Sequence, residues 1–318
     1  MTTLKLAFSV LIIFFFNCKK NQQLTKETTQ KDSVIVPVKQ WLNLNYADDG
    51  KEYHNLDIHL PNVAKPTYKA IIVIYGSAWY GNNLKQAAFD ALGKPLLDSG
   101  FAVIAINHRS SGDAPYPAQI NDVKAAVRYI RANAGKYQID ASFIGITGYS
   151  SGGHLASLAG TSNSVKEFTV GKVKVDIEGN VGNYTAASSS VNAVVDWFGP
   201  IDMALMDECK KPKGADSPEG ALIRGNPVDN LDMIALLNPI TFLDKADPHF
   251  MVIHGDADNV VPYCQSELFA KALKEQGILT EFISVPQGQH GPITFNENTF
   301  NKMTDFFLKE AKKNSAAL

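Results

Sequence analysis

The stretch Gly148-Tyr149-Ser150-Ser151-Gly152 sets a serine two positions from a glycine on either side. Apolar and β-branched residues, Ile144-Gly145-Ile146-Thr147, lead into it, and His154-Leu155-Ala156 opens a run with good helix formers. Strand, sharp turn and helix form the context that a G-x-S-x-G nucleophile requires. The glycines let strand and helix pass closely, while the serine takes a strained turn with φ > 0. Its Oγ then stands exposed at the carboxyl edge of a sheet, above a helix N-terminus. That chemistry is nucleophilic acyl transfer. The plain alternative is a tight glycine turn carrying an incidental serine.

A serine hydroxyl is a weak nucleophile at neutral pH and needs a base within hydrogen-bond reach, itself oriented by a third group. In chains built on this turn the acid and then the histidine follow the serine. Of the seven histidines, His54, His59 and His108 precede Ser150, and His154 lies one turn into the following helix. His249 and His254 flank or end a predicted strand. His290 follows the last predicted strand, in Pro286-Gln287-Gly288-Gln289-His290-Gly291-Pro292, with glycines on both sides to free its ring. The acid belongs to Gly255-Asp256-Ala257-Asp258-Asn259-Val260-Val261-Pro262, where spacing alone does not choose between Asp256 and Asp258. Developing negative charge needs backbone N–H donors. One is expected from Ser151 and others from the loop Gly76-Ser77-Ala78-Trp79.

The elements that must position these residues alternate along the chain. Strands are predicted at 40–45, 55–60, 70–75, 101–107, 143–147, 193–198, 250–254 and 280–285, several as continuous Ile/Val/Phe runs suited to a sheet buried on both faces. Helices are predicted at about 84–98, 117–134, 151–160, 263–276 and 297–313. In the second, Ile120, Val123, Val127 and Ile130 share a stripe, with Lys124, Arg128 and Arg131 elsewhere. The first two strands suggest an antiparallel hairpin at a sheet edge. Strand–helix alternation implies an α/β fold with a mostly parallel sheet. Residues 199–238 break the rhythm with Lys210-Lys211-Pro212-Lys213-Gly214, Ser217-Pro218 and Asn226-Pro227, and read as a small cap over the carboxyl edge.

Bulk properties narrow the classes. The 318 residues are 45% hydrophobic and 19% charged with a net charge of −2, so no basic footprint for nucleic acid is present. Lys5 precedes an apolar run from Leu6 to Phe16, too short to span a bilayer and suited to a signal-peptide core. Cys18 just after it is expected to be lipidated and to become the mature N-terminus, although Phe15-Phe16-Asn17 replaces the usual small residues. A simple cleaved secretory signal is the alternative. Residues 19–37 are Gln-, Thr- and Lys-rich and read as a flexible tether, leaving 38–318 as the folded domain. Cys209 and Cys264 are compatible with a disulfide or with two unpaired thiols.

Taken together these residues resemble the α/β-hydrolase superfamily, and within it the bacterial carboxylesterases that include acetyl-xylan and feruloyl esterases, with hormone-sensitive-lipase-like relatives. The likeness rests on Tyr75-Gly76-Ser77-Ala78-Trp79, Pro117-Ala118-Gln119, Gly148 to Ala156, Asp196-Trp197-Phe198-Gly199-Pro200, His254-Gly255-Asp256-Ala257-Asp258 and Gly288-Gln289-His290-Gly291. It implies an eight-stranded, mostly parallel sheet, Ser150 as nucleophile, His290 as base and Asp258 as orienting acid. It further implies oxyanion donors at Ser77, Ala78 and Ser151, and a pocket wall at Trp79. No metal or cofactor is called for. The partner would be a small ester or an esterified polysaccharide carrying acetyl or feruloyl groups, with the membrane engaged only through the lipid anchor. An amide hydrolase of the same fold, or a catalytically silent glycan-binding lipoprotein, are the alternatives. One departure bears on these. The family's oxyanion loop begins His-Gly-Gly, where this chain has Tyr75-Gly76-Ser77-Ala78, and losing a glycine there can redirect the donors.

Overall fold

The structure is a computed structural model and describes residues 39–316. The expected signal peptide, Cys18 and the tether lie outside the described residues.

The strands are β1 (Gln40–Asn45), β2 (Asn55–His59), β3 (Tyr68–Ile74), β4 (Ala102–Ile106), β5 (Ile139–Tyr149), β6 (Glu167–Val170), β7 (Val173–Asp176), β8 (Ala193–Trp197), β9 (His249–Gly255) and β10 (Leu279–Val285). All but β6 and β7 join one eight-stranded sheet in the order β1-β2-β4-β3-β5-β8-β9-β10. The first two pair antiparallel with each other, and β2 is antiparallel to β4. Every later pairing is parallel. The predicted edge hairpin is therefore present.

The long apolar runs of β3, β4, β8 and β9 follow from helices covering both faces. The helices are α1 (Lys85–Ala88), α2 (Lys94–Asp98), α3 (Ala118–Ala132), α4 (Ser151–Thr161), α5 (Pro218–Ile223), α6 (Leu231–Leu237), α7 (Cys264–Gln276) and α8 (Glu297–Ala316). Ile72 and Ile74 pack into one core with Val123 and Val127 of α3, Leu155 of α4 and Phe269 of α7. Their neighbours Ile71 and Val73 point the other way, into a second core with Leu92, Leu96 and Phe307. Alternation along β3 thus feeds two apolar layers rather than one.

Two differences from the sequence reading have physical causes. The helix expected at 84–98 is interrupted by a wide turn at Phe89–Gly93 between α1 and α2. Pro95 there has no N–H to continue the ladder, and a proline inside a helical run loosens the preceding turn. The short hairpin β6–β7 was not expected at all. The excursion that carries it covers one flank of α3, and Lys124 and Arg128 are consequently buried rather than solvated. Both pair with Glu178, and Lys124 also donates to the Ser162 carbonyl at 2.7 Å.

The predicted cap spans α5 and α6 and is tied to the body at several points. The Tyr116 N–H and hydroxyl donate to the Leu222 and Leu236 carbonyls at 2.9 and 2.6 Å. The buried Gln265 amide accepts from the N–H groups of Ile201 and Asp202 and donates to the carbonyls of Asp202 and Leu205. Beside it, Cys209 of the cap is disulfide-bonded to Cys264 at the start of α7, with Cα atoms 6.4 Å apart and a sequence separation of 55. Closing a loop of that order stabilises a fold by about 2–4 kcal/mol.

Candidate active site

The β5–α4 turn sets the nucleophile. Ser150 has φ 55° and ψ −127°, a backbone state that only tight surroundings maintain. Its N–H donates to the Trp197 carbonyl at 2.9 Å, and its own carbonyl accepts from His154 N–H at 3.1 Å. A Cβ on Gly152 would stand 2.4 Å from the carbonyl oxygens of Ile74 and Tyr75, so α4 can reach β3 only with glycine there. The motif's spacing is thus a packing requirement.

Three loops at the carboxyl edge bring the remaining groups to Ser150. The loop after β9 carries Asp258 and the loop after β10 carries His290. His290 Nε2 lies 2.9 Å from Ser150 Oγ, and Nδ1 lies 2.7 Å from Asp258 Oδ2. The partners assign the tautomer: Nδ1–H donates to the carboxylate and Nε2 accepts from the serine hydroxyl. Asp258 Oδ1 accepts from the N–H groups of Val260 and Val261 at 2.8 and 3.0 Å. Burial alone would push this carboxyl up. Hydrogen bonds from His254, His290 and the Val260 N–H, with the charge of His290, hold it well below the usual carboxylate range instead. It is an anion shaped to stay one. Asp256, the competitor, points elsewhere and accepts from Gln287 N–H at 2.7 Å, a turn-closing task.

His254 was set aside in the sequence reading, yet its Nε2 lies 3.2 Å from Asp258 Oδ2. It is fully buried, with Nδ1 accepting from the Ser266 hydroxyl at 2.7 Å and Nε2–H also directed at the Val261 carbonyl. A second histidine therefore braces the acid from behind. The sequence signal was its place four residues before Asp258 in the same loop motif.

The loop after β3 keeps its turn despite the missing glycine. Ala78 and Trp79 take left-handed backbone angles, φ 49° and 60°, a state normally left to glycine. The loop is held by Ser111 N–H donating to the Trp79 carbonyl and by Gly81 N–H donating to Ser77 Oγ. Ser77 N–H donates to Ser151 Oγ at 2.9 Å. Among the described residues, no protein acceptor pairs with the Ala78 and Ser151 amides. Of the three expected donors, two are therefore open, and the third binds the loop to α4.

Two cavities meet at Ser150. One of about 290 Å³ is lined by Tyr149, Phe198, His290 and Phe295, among others. The other, of about 80 Å³, lies toward the cap and is lined by Trp79, Ser151, Met206, Lys213 and Glu219. Trp79 is buried as a wall of this smaller cavity, its ring edge-on to His154 with centroids 5.3 Å apart. A separate cavity of about 380 Å³, with Lys65, Phe101 and Asp140, sits near the amino ends of β4 and β5, away from these groups.

Asp196 supports the site from below and titrates unusually. It is fully buried near the end of β8, Oδ1 accepts from Gly199 N–H at 3.0 Å, and among the described residues Oδ2 has no hydrogen-bond partner. Burial pushes its carboxyl up to about 7, against 3.8 when unperturbed. Between those values the unfolded chain gives up the proton while the folded one keeps it. Folding stability from this group is therefore fully present below pH 3.8 and lost progressively as pH rises through 7. Asp196→Asn, which keeps an acceptor for Gly199, should lessen the fall in Tm between pH 4 and 8 relative to wild type. Equal slopes in a thermal-melt series would contradict this.

The chain is similar to several known proteins. The model of the BD-FAE family matches residues 56–273. A solved structure described as a truncated form of a carbohydrate esterase from gut microbiota is 56% identical, with a TM-score of 0.85, covering 86% of this chain and 96% of that one. A bifunctional GH43-CE from Bacteroides eggerthii is 67% identical with a TM-score of 0.85 over 86% of this chain, which spans 35% of that protein. Esterase LipQ of Mycobacterium tuberculosis is 30% identical over 255 residues, 78% of this chain and 56% of LipQ. The chain spans about half the length of the curated relatives it matches. With more than half of its residues inside the family match, the chain belongs to the BD-FAE family, and its fold is that of the α/β-hydrolases.

Proposed function

We propose that the protein is a serine carboxylesterase that cleaves acetyl or feruloyl esters on plant polysaccharide through an acyl-enzyme. The observation that carries this reading is the hydrogen-bonded line Asp258–His290–Ser150 opening onto a cavity. Ser150 Oγ attacks the ester carbonyl as His290 Nε2 takes its proton, and Asp258 steadies the imidazolium. The Ala78 and Ser151 amides are the donors for the oxyanion of the tetrahedral intermediate. His290 then returns the proton to the leaving alcohol. Water repeats the sequence to free the acid, with no step that calls for a metal or organic cofactor. High identity to a carbohydrate esterase supports a carbohydrate ester over a lipid one.

The test is turnover of acetylated xylan, feruloylated arabinoxylan and p-nitrophenyl acetate beside matched anilides. Release of acetate or ferulate well above anilide cleavage is expected. Preferential anilide cleavage would favour an amide hydrolase, and a folded, inert protein a glycan-binding role. Location is proposed as the cell envelope, through a lipid on Cys18, with no nucleic-acid partner. Cys18→Ser should move the protein from the membrane to the soluble fraction. Unchanged partitioning would contradict the anchor.

A further inference from the structure

The turn after β8 sets a strained aromatic residue against the catalytic base. Phe198 has φ 41°, a state that a bulky side chain adopts rarely and at a cost of about 1–3 kcal/mol. Hydrogen bonds through the turn hold it there. Its N–H donates to the Ile253 carbonyl at 2.8 Å, the Trp197 carbonyl before it accepts from Ser150 N–H, and Gly199 N–H after it donates to Asp196 Oδ1. Glycine would take that φ freely; the chain instead keeps a ring beside His290. This buried ring has its centroid 4.7 Å from that of His290 and 5.4 Å from that of Phe295. Phe295 packs in turn on Trp197 and Phe300, which ties Phe198 to the second apolar layer. One short turn therefore touches both the nucleophile and the base.

His290 needs a restraint that its hydrogen bonds do not supply. Nδ1 meets Asp258 and Nε2 meets Ser150, and bonds at the two ring nitrogens act in the imidazole plane. They leave the ring free to swing about the line that joins them. The loop adds little, since Gly291 follows with φ 127° and a Cβ there would meet nothing within 4 Å. The restraint is weakest in the acyl-enzyme. Ser150 Oγ then carries the acyl group and has no proton to donate, so Asp258 alone bonds the imidazole. Yet at that stage Nε2 must take a proton from the water that attacks the acyl carbonyl, and return it to Ser150 Oγ as the ester bond breaks. We infer that Phe198 is a positioning residue for deacylation, its ring keeping His290 Nε2 aimed at the reacting water. The inference rests on the esterase reading above.

The experiment is stopped-flow and steady-state hydrolysis of p-nitrophenyl acetate by the full-length protein, wild type against Phe198→Leu and Phe198→Met. Here kcat/KM reports the steps through acylation, kcat includes deacylation, and a burst of p-nitrophenolate marks accumulating acyl-enzyme. Leucine keeps most of the volume and loses the flat face. With it kcat should fall about ten- to a hundredfold, the size of loss when a reacting group is slightly misplaced, and kcat/KM by a smaller factor. KM therefore falls with kcat, and a stoichiometric burst accompanies the fall. A merely structural role would reduce the amount of active enzyme, lowering kcat and kcat/KM together with KM unchanged. Methionine, which adapts to irregular apolar space, should give the same split and covers a leucine variant that fails to fold. A fall in kcat/KM that equals or exceeds that in kcat, or no change in either, would overturn the positioning role while leaving the esterase reading intact. That reading fails instead if the wild type releases no p-nitrophenolate and a fluorophosphonate does not label Ser150.

Discussion

Ser150→Ala is expected to lower turnover of p-nitrophenyl acetate by about 10⁶-fold, the size of loss when the nucleophile of a serine hydrolase is removed. The backbone at this position already carries φ 55° with a Cβ in place, so alanine inherits the same strain and the same contacts to α4. Only the Oγ that meets His290 at 2.9 Å is lost. The remaining rate, about 10³–10⁴ over water, would come from substrate binding and from the open amides of Ala78 and Ser151. A far smaller loss in a folded variant would mean that another group performs the attack.

Asp258→Asn should cost about 10⁴-fold in kcat with the fold retained. The direction of the new amide is fixed by its surroundings. Oδ1 accepts from two backbone N–H groups, so the amide oxygen takes that side and its NH2 takes the other. The NH2 then confronts both His290 Nδ1 and His254 Nε2, each of which donates to Oδ2 in the wild type. His290 must turn to its other tautomer, with Nε2–H toward Ser150, and can no longer accept the proton. Asp256→Asn retains an acceptor for the Gln287 N–H and should change kcat by less than about tenfold. Stopped-flow or steady-state rates on the two variants decide the matter, and a larger loss at Asp256 would reverse the assignment.

How much of this was legible depended on how local each signal was. Ser150 could be read because one turn dictates glycine, serine and glycine within five residues. His290 could be read because chain order left it as the histidine after the last strand. Asp256 and Asp258 were not separable by spacing, since either can close a loop turn; the resemblance favoured Asp258, and the hydrogen bonds of the two carboxyls differ accordingly. The continuous apolar runs of β3, β4 and β8 announced a sheet covered on both faces. In contrast, the hairpin β6–β7 is two strands of four residues with mixed polarity, below what period-2 patterning can register. The burial of Lys124 and Arg128, which stand off the apolar stripe of α3, could not be read because their partner Glu178 lies 54 and 50 residues onward. Glu219 was hidden for the same reason: the path of the cap, which no short-range pattern encodes, brings it to the small cavity beside Ser150. Whether Cys209 and Cys264 pair stayed open in the sequence because their distance depends on the same path.

The measurement that bears most directly on the account is labelling of the full-length protein with a fluorophosphonate, followed by peptide mass spectrometry. One phosphonyl adduct on Ser150 is predicted, absent in Ser150→Ala and slowed in Asp258→Asn. An unlabelled but folded wild type, or an adduct elsewhere that persists in Ser150→Ala, would contradict a nucleophilic Ser150 and with it the esterase reading.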